Sequence, residues 1–358
     1  MGIKKKTLLI TLSDNADHQE VIYSLFEELL EHKQDVYALG IKNPKVEYVD
    51  SSRIRFFNAP KRPGICKGTF NLFELCKLLT FVYKGNFDVI YFETLHVWNI
   101  PIWFFHAKKT KIIQVIHDVD PHEGDKSVKS IERINKLATR LSDIVLLRSK
   151  RFVDLLSRKY NISKEKIRVL DPWRRFPKYN KPVFSHRALF FGRINNYKGA
   201  EYLKDIVSSC PEVFFDIVGK VDESELGYIN GLRKYQNVNL DTNYVTDSKM
   251  KDYFFNADFV ILPYKSASQS GVILDANKFG RPPIAFGVGG IKDQIDNGIN
   301  GILVESGNVK AFIKEVKFLN DYDKEELRAF SESTYKYGLK RYSSESAAIR
   351  FMKLLNEV

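Results

Sequence analysis

One segment of the chain combines a buried strand with the start of a helix in a way that suits an anion. The predicted strand at 259–262 leads into a serine-rich loop, and a helix is predicted to begin at about Ser270. The first turn of a helix leaves backbone N–H groups unpaired and carries the positive end of the helix dipole, so it attracts phosphate. Asp275 follows about one turn later, where a carboxylate can accept hydrogen bonds from a sugar diol. A nucleotide offers both groups.

Two further predicted strands each end in a glycine-containing turn. A short strand at 283–286 runs into glycines 287, 289 and 290, and the strand at 188–191 runs into Gly192. Arg193 and Lys198 follow, and each can form charge-assisted hydrogen bonds with phosphate oxygens, which are roughly twice as strong as neutral ones. Any one of these pieces alone fits equally well an ordinary α/β domain whose glycines serve turns.

The order of these motifs resembles the nucleotide-sugar half of family 4 glycosyltransferases, which have the GT-B fold. The likeness covers about residues 186 to 305, and its motifs are F-G-R-(x4)-K-G, F-D-I-V-G, A-D-F-V-I-L-P, S-G-V-I-L-D-A-(x3)-G-R-P-P-I-A and G-G-(x3)-Q-I-(x2)-G-(x2)-G-I-L-V. Several ordered motifs at fitting intervals make the likeness specific.

The resemblance implies roles for the residues of this segment. Arg193 and Lys198, beside Gly192, would hold the donor diphosphate and act in catalysis, and Asp275 would bind the ribose. The distal phosphate would be held by three successive backbone groups, those of Ser270, Gly271 and Val272.

One position departs from the family's pattern. Family members usually carry an E-x7-E pair near the transferred sugar, and the second acid corresponds to Asp275, but the first position is Ala267 here. Ser266, Ser268 and Gln269 are able to supply hydrogen bonds instead. The resemblance therefore favours an active enzyme with a variant loop, and it leaves open a non-catalytic subunit that still binds nucleotide.

A histidine-containing stretch follows the predicted strand at 111–116. It reads H-D-V-D-P-H-E-G from His117 onward and resembles an H-D-x-x-P-H-x-G stretch of some family members. By that likeness His117 would be a catalytic residue that touches the donor sugar, and Asp118 or His122 would lie near the acceptor. A polar loop with incidental histidines is the alternative.

Two D-x-D sequences, at 118–120 and 321–323, resemble the metal motif of the other large glycosyltransferase fold. Divalent cations of this kind prefer carboxylate and phosphate oxygens. Because Arg193 and Lys198 already serve the diphosphate, we expect no required metal, and no cofactor apart from the nucleoside diphosphate sugar, which is a substrate.

The amino-terminal half is predicted to be a second α/β domain. Strands at 6–12 and 35–39 enclose an amphipathic helix at 20–32, and strands and helices alternate up to residue 160. This pattern predicts two Rossmann-like, doubly wound parallel-sheet domains, and the GT-B resemblance implies that they face a cleft. No G-x-G-x-x-G follows the first strand, so a nicotinamide-dinucleotide site loses its main support.

The expected boundaries divide the chain into three parts. Residues 1–172 form the acceptor-binding domain and 173–340 the nucleotide-sugar domain, which the length of 358 residues permits. Residues 341–358 form a last helix, which by resemblance packs back on the amino-terminal domain.

The net charge of +12 is concentrated in the amino-terminal half. Residues 1–180 hold 32 Lys and Arg against 21 Asp and Glu, whereas residues 181–358 hold 24 against 23. In a GT-B enzyme the amino-terminal half handles the acceptor, so this excess favours an anionic partner such as a lipid diphosphate or an acidic membrane surface. The basic residues form no DNA- or RNA-reading motif, and nucleic acid is not an expected partner.

The predicted helix at 70–83 has a broad apolar face with basic residues around it. These are Lys61, Arg62, Lys67, Lys77 and Lys84. The pattern fits a helix that rests in a bilayer interface, and equally a core helix packed on the sheet.

The best candidate for a membrane span, 89–107, is interrupted by polar residues, and the start of the chain lacks a signal-peptide core. We therefore expect a cytoplasmic protein, and an interfacial helix, if that alternative holds, would make it peripheral to the inner face of the membrane.

These observations predict a glycosyltransferase that moves a sugar from a UDP- or GDP-linked donor to a hydroxyl of a glycan or lipid-linked acceptor. The resemblance implies retention of the anomeric configuration and a place in polysaccharide or glycolipid biosynthesis. Besides the non-catalytic subunit, a nucleotide-sugar epimerase remains an alternative, because epimerases use a similar two-domain fold.

Overall fold

The structure is a computed structural model in which the chain divides into two compact units. The first unit consists of Met1–Arg174 with Ser344–Val358, and the second of Arg175–Ser343. The residues described are 4–44, 46, 48–60, 65–106, 108–119 and 128–358. Lys61, Arg62, Asp120 and His122, which the sequence analysis singles out, lie outside the described residues.

The first unit is built on a parallel sheet of seven strands in the order β3-β2-β1-β4-β5-β6-β7. Most of its strands are short, continuously buried runs of aliphatic and aromatic residues, as expected for a sheet covered on both faces. The strands are β1 (Thr7–Thr11), β2 (Val36–Gly40), β3 (Ile54–Phe56), β4 (Val89–Phe92), β5 (Lys111–Val115), β6 (Ile144–Leu147) and β7 (Ile167–Val169).

Helices connect these strands. They are α1 (Ala16–Glu31), α2 (Leu72–Gly85), α3 (Asn99–Phe105), α4 (Val128–Leu141) and α5 (Val153–Tyr160). Residues of α2 to α5 pack on one face of the sheet with Leu8 and Ile10, whereas α1 packs on the other face with Leu9. The helices therefore lie on both faces, which is the doubly wound arrangement.

The second unit contains a parallel sheet of six strands in the order β10-β9-β8-β11-β12-β13. Its strands are β8 (Arg187–Phe191), β9 (Phe214–Val218), β10 (Val238–Asp241), β11 (Phe259–Leu262), β12 (Pro283–Phe286) and β13 (Ile302–Val304). Its helices are α6 (Leu203–Ser209), α7 (Leu226–Asn230), α8 (Asp247–Asn256), α9 (Gly271–Phe279), α10 (Ile291–Gln294), α11 (Val309–Asn320) and α12 (Lys324–Tyr342). The two parallel sheets confirm the predicted fold class.

The last helix, α13 (Ser344–Glu357), belongs to the first unit. Ala347, Ala348 and Phe351 are fully buried against the sheet face that α1 also covers. The Ser344 hydroxyl donates to Glu28 Oε1 over 2.6 Å. Small side chains at the contact let α13 approach α1 and the sheet closely.

In each sheet there is one point at which the chain stops adding strands on one side and begins to add them on the other. In the first unit it lies between β1 and β4, and in the second between β8 and β11. Loops at the carboxyl ends of the strands diverge at such points and leave a crevice in which open α/β sheets bind ligands.

Among the described residues, none of the helices combines the length and apolar composition that a bilayer crossing requires.

Candidate functional site

In the second unit, loops that follow β8, β9 and β11 come into close contact through glycines. Gly219, with φ of +140°, lies so near the β8 loop that a Cβ would be 2.2 Å from the Gly192 carbonyl oxygen. Gly199, with φ of +72°, lies equally close to the Pro263 carbonyl, at 1.9 Å from such a Cβ. Only glycine combines this backbone conformation with this proximity, and the loops therefore form one continuous surface at the carboxyl ends of the strands.

Lys198 is buried beneath these loops. Its ammonium donates to the Phe191 carbonyl oxygen over 3.1 Å and lies 4.9 Å from the centre of the Tyr264 ring. A Cβ on Gly192, whose φ is +99°, would be 2.7 Å from Lys198 Nζ, so glycine is needed there as well. Burial lowers the pKa of Lys198 to about 8. A positive charge is thus held where water solvates it poorly, which favours the binding of an anion.

Arg193 is placed differently. Its side chain is 69% exposed, and its Nε and Nη2 donate to the two carboxylate oxygens of Asp222 over 2.9 and 3.0 Å. The neighbouring residues Ile194 and Val221 pair as an isolated parallel bridge, which brings Asp222 beside the β8 loop. The guanidinium is therefore already partly neutralised, and we expect it to contribute less to anion binding than Lys198 does.

The start of α9 is held by a glutamine. Gln294 Oε1 accepts from the Ser270 N–H over 2.7 Å, and Gln294 Nε2 donates to the Ser270 carbonyl over 3.0 Å. The Gln294 carbonyl in turn accepts from the Tyr342 hydroxyl over 3.1 Å. The Ser270 N–H is thus used within the protein, and the groups of the first helical turn that remain for a phosphate are those of Gly271 and Val272.

The loop that contains Ala267 is bound to the glycine turn after β12. The Ala267 carbonyl accepts from the Gly290 N–H over 2.9 Å, and a Cβ on Gly289 would lie 2.0 Å from that carbonyl oxygen. Ala267 is itself buried, as is Asp275 in the second turn of α9. The structure therefore brings the loops with Lys198 and Ala267, and the part of α9 with Asp275, to the carboxyl ends of the strands of one sheet.

The first unit contains a buried charged cluster at the carboxyl ends of its central strands. Glu93, directly after β4, accepts from Arg148 Nη2 over 2.7 Å, and Arg148 directly follows β6. The Tyr91 hydroxyl also donates to Glu93 Oε2 over 2.5 Å. Burial alone would raise the pKa of Glu93, but Arg148 and His117 outweigh it and lower that pKa well below its ordinary value. Glu93 is thus a buried, fully ionised carboxylate.

This cluster fixes the orientation of His117. His117 Nε2 lies 2.8 Å from the Glu93 carbonyl oxygen and 3.2 Å from Glu93 Oε1. Both atoms are acceptors, so Nε2 carries a proton and Nδ1 is the acceptor of the neutral ring. The His18 ring stacks on His117 with centroids 5.0 Å apart. Burial, together with His117, lowers the pKa of His18 to about 4, so His18 is neutral at pH 7.

Several of these residues were missed in the sequence analysis. They are His18, Glu93, Arg148, Asp222 and Gln294. Glu93 and Arg148 each stand directly after a buried strand, in Y-F-E and L-L-R, and polar residues at the ends of adjacent parallel strands were the signal that could have revealed them. His18 and Asp222 carry no comparable signal, because their partners are set by tertiary contacts.

The D-x-D sequences have other local roles where they are described. Asp323 caps α12, and its carboxylate accepts from the N–H groups of Glu325 and Glu326 over 2.8 and 2.9 Å. Asp118 is exposed, and its carbonyl accepts from Asn135 Nδ2 over 3.1 Å. Within the described ranges, no group of three or more His, Cys, Asp or Glu side chains is placed to hold a metal ion.

Comparison with known proteins finds likeness to glycosyltransferases. Residues 185–321 match the family model described as glycosyl transferases group 1. An uncharacterized glycosyltransferase of Haemophilus influenzae is 21% identical over 313 residues, which are 84% of this chain and 86% of that protein. The match to the family model contains Lys198, Arg193 and Asp275.

Solved structures share the fold over nearly the whole chain. Anabaena Alr3699/HepE in complex with UDP and glucose has a TM-score of 0.71 at 15% identity, over 99% of this chain and 100% of that one. Sucrose-phosphate synthase of Thermosynechococcus elongatus has a TM-score of 0.75 at 17% identity, over 98% of both chains. Residues 185–321 therefore match the group 1 glycosyltransferase family model, and the chain has the GT-B fold.

Proposed function

We propose that this chain transfers a sugar from a UDP- or GDP-linked donor to a hydroxyl of a glycan or lipid-linked acceptor, in polysaccharide or glycolipid biosynthesis. The observation that carries the proposal is Lys198, a buried ammonium at the carboxyl end of β8 whose pKa burial has lowered to about 8. Such a charge is costly in the folded protein unless an anion uses it. The diphosphate of a nucleotide sugar is an anion of the required kind.

The donor site is proposed to lie at the edge of the second sheet. Lys198 and the N–H groups of Gly271 and Val272 would bind the diphosphate, with Arg193 as a weaker outer contact. Asp275 would accept from the ribose hydroxyls. The complex of Anabaena Alr3699/HepE with UDP and glucose supports a donor of this class, because that protein has the same fold.

The reaction is proposed to retain the anomeric configuration. The acceptor hydroxyl oxygen attacks the anomeric carbon on the face from which the diphosphate leaves, so the bond from that carbon to the phosphate oxygen breaks as the new carbon–oxygen bond forms. The hydroxyl proton passes to the departing phosphate oxygen. Negative charge grows on the diphosphate, and preorganised donors aimed at such charge are usually the largest catalytic contribution. Lys198 and Arg193 would supply it without a metal.

His117 is proposed to contact the donor sugar. Because Nε2 faces the two Glu93 oxygens, the ring atom that His117 offers to a sugar hydroxyl is Nδ1. The acceptor is proposed to be anionic or to lie at an anionic membrane, since residues 1–180 hold 32 basic against 21 acidic side chains.

A non-catalytic subunit is the second candidate, and Ala267 is the observation that favours it. The position where family members carry an acid is a buried alanine whose carbonyl binds Gly290. A subunit of this kind would bind nucleotide but would not turn over a donor.

The test is release of nucleoside diphosphate from a panel of UDP- and GDP-sugars in EDTA, with a membrane glycolipid extract as acceptor. We expect release from one donor that depends on the extract and falls about a hundredfold or more in Asp275→Asn, because a buried ribose contact is lost. Nucleotide binding by calorimetry without release from any donor would contradict the enzyme and favour the subunit.

Arg193→Ala is expected to weaken nucleoside diphosphate binding by about tenfold, which is close to 1.4 kcal/mol. The reason is that the guanidinium is exposed and already paired with Asp222. Isothermal titration calorimetry with UDP and GDP measures the effect, and Asp222→Asn is the matched control, since it removes the competing carboxylate and should bind at least as tightly as wild type. Equal dissociation constants for Arg193→Ala and wild type would remove Arg193 from the site.

A further inference from the structure

The start of α2 turns large apolar side chains outward. Of the six most exposed large hydrophobic residues in the described part of the chain, five lie between positions 65 and 105, with exposed fractions of 66 to 78%. They are Ile65, Phe70, Leu72, Phe73 and Phe105. Helix α2 buries only Leu78 and Val82. The sequence pattern fitted a core helix or an interfacial helix, and the structure places most of this apolar surface outside the core.

Hydrogen bonds hold α2 next to α3. The Tyr83 hydroxyl donates to the Pro101 carbonyl over 3.1 Å, and Trp98 Nε1 donates to the Thr69 carbonyl over 3.0 Å. Phe104 and Phe105, at the end of α3, are also exposed. The outward aromatic residues are therefore carried by two neighbouring, anchored helices.

The charges around these apolar residues are almost all positive. Five exposed lysines accompany them, at positions 67, 77, 84, 108 and 109. Glu74 is paired with Lys77 over 2.8 Å, and the Lys77 ammonium lies 4.1 Å from the centre of the Phe73 ring. The other two acids between positions 65 and 109 are bonded within the first unit, because Asp88 accepts from the Lys6 N–H and Glu93 accepts from Arg148.

We propose that this surface docks on an anionic lipid bilayer. Here the α2 surface means Ile65, Phe70, Leu72 and Phe73 with Lys67 and Lys84. An exposed apolar strip flanked by cations matches the boundary between acyl chains and acidic headgroups, because the aromatic side chains enter the boundary while the lysines remain with the headgroups. The inference goes beyond the proposed reaction and does not depend on it.

The test is co-sedimentation of the full chain with vesicles of phosphatidylcholine alone and of phosphatidylcholine mixed with phosphatidylglycerol. We expect binding to the mixed vesicles that weakens with added salt and falls about tenfold or more in the double variant Phe70→Ser, Phe73→Ser. The matched control is Leu226→Ser, Tyr228→Ser, which removes exposed apolar side chains from the second unit and should bind like wild type.

A charge-reversal pair tests the lysines. Lys67→Glu with Lys84→Glu should abolish the preference for phosphatidylglycerol, whereas Lys353→Glu, on α13 at the opposite face of the same sheet, should have a much smaller effect. UDP binding, measured by calorimetry on every variant, should stay unchanged. Loss of vesicle binding is then distinguished from loss of the proposed donor site.

Two results would overturn the inference. One is vesicle binding that is absent in wild type or equal in the phenylalanine variant and its control. The other is a wild-type dimer in sedimentation velocity that the phenylalanine variant converts to a monomer with unchanged vesicle binding, because the surface would then join two copies of the chain.

Discussion

Lys198→Met is expected to make the protein more stable at pH 7 and to weaken donor binding severely. The methionine fills nearly the same volume without a charge, so the cost of holding a buried ammonium disappears. The shift of the Lys198 pKa from 10.5 to about 8 corresponds to roughly 3 kcal/mol. For a protein of this size we expect a rise in Tm of about 5 °C.

The effect of Lys198 on stability has a definite pH dependence. Its folded-state pKa of about 8 lies below the unfolded value of 10.5, so the unfolded chain binds more protons between these two values. The stability of wild type therefore rises with pH through this window. The advantage of Lys198→Met should be largest below pH 8 and should shrink toward pH 10.5.

Scanning calorimetry from pH 7 to 10.5 measures the stability difference, and titration with UDP and GDP measures binding. We expect turnover to fall a hundred- to a thousandfold, the range found when a preorganised donor is removed. Lys220→Met is the matched control, because Lys220 is an exposed lysine on the adjacent loop. A less stable Lys198→Met at pH 7, with donor binding intact, would show that the ammonium is satisfied within the protein and has no role in the site.

Glu93→Gln is expected to destabilise the first unit by about 3–5 kcal/mol, because it leaves Arg148 as an uncompensated buried charge. Arg148 is almost fully buried, with its guanidinium 4.6 Å from the Trp173 ring, so it cannot reach water without disrupting the packing. The pKa of Glu93 is depressed in the folded protein, so its contribution is present above about pH 4.5, its ordinary value, and is lost as the pH falls further.

Urea unfolding followed by tryptophan fluorescence measures this effect selectively. The three tryptophans, Trp98, Trp103 and Trp173, all lie in the first unit. Glu74→Gln is the control, because it removes one partner of a more exposed ion pair and should cost far less stability than Glu93→Gln. If the two variants lose equal stability, the buried cluster is not the electrostatic unit inferred here.

A double variant separates the charge from the packing. Glu93→Gln combined with Arg148→Met should recover much of the loss, because no unpaired charge remains in the core. The single Arg148→Met variant should be strongly destabilised by the unpaired Glu93. Additive losses in the double variant would mean that the two side chains act independently.

The regular elements were largely predictable from local patterns. The predicted strands at 259–262 and 283–286 coincide with the observed ones. These strands lie inside their sheets and are buried on both faces, so each is a continuous apolar run. The strands that were not predicted, β3, β7, β10 and β13, lie at the sheet edges, where short and partly exposed runs carry little pattern.

The amino-acid sequence by itself determined the two parallel-sheet domains and the loops of the predicted phosphate site. Glycines, helix starts and strand ends are local features, because a turn or a first helical turn is made by neighbouring residues. Only the tertiary structure decided the state of the charges. It showed that Lys198 is buried and that Arg193 is paired with Asp222. It also joined Glu93, His117 and Arg148, which follow three different strands, with His18 in the first turn of α1. Burial and pairing arise from contacts between distant parts of the chain, which spacing along the sequence does not record.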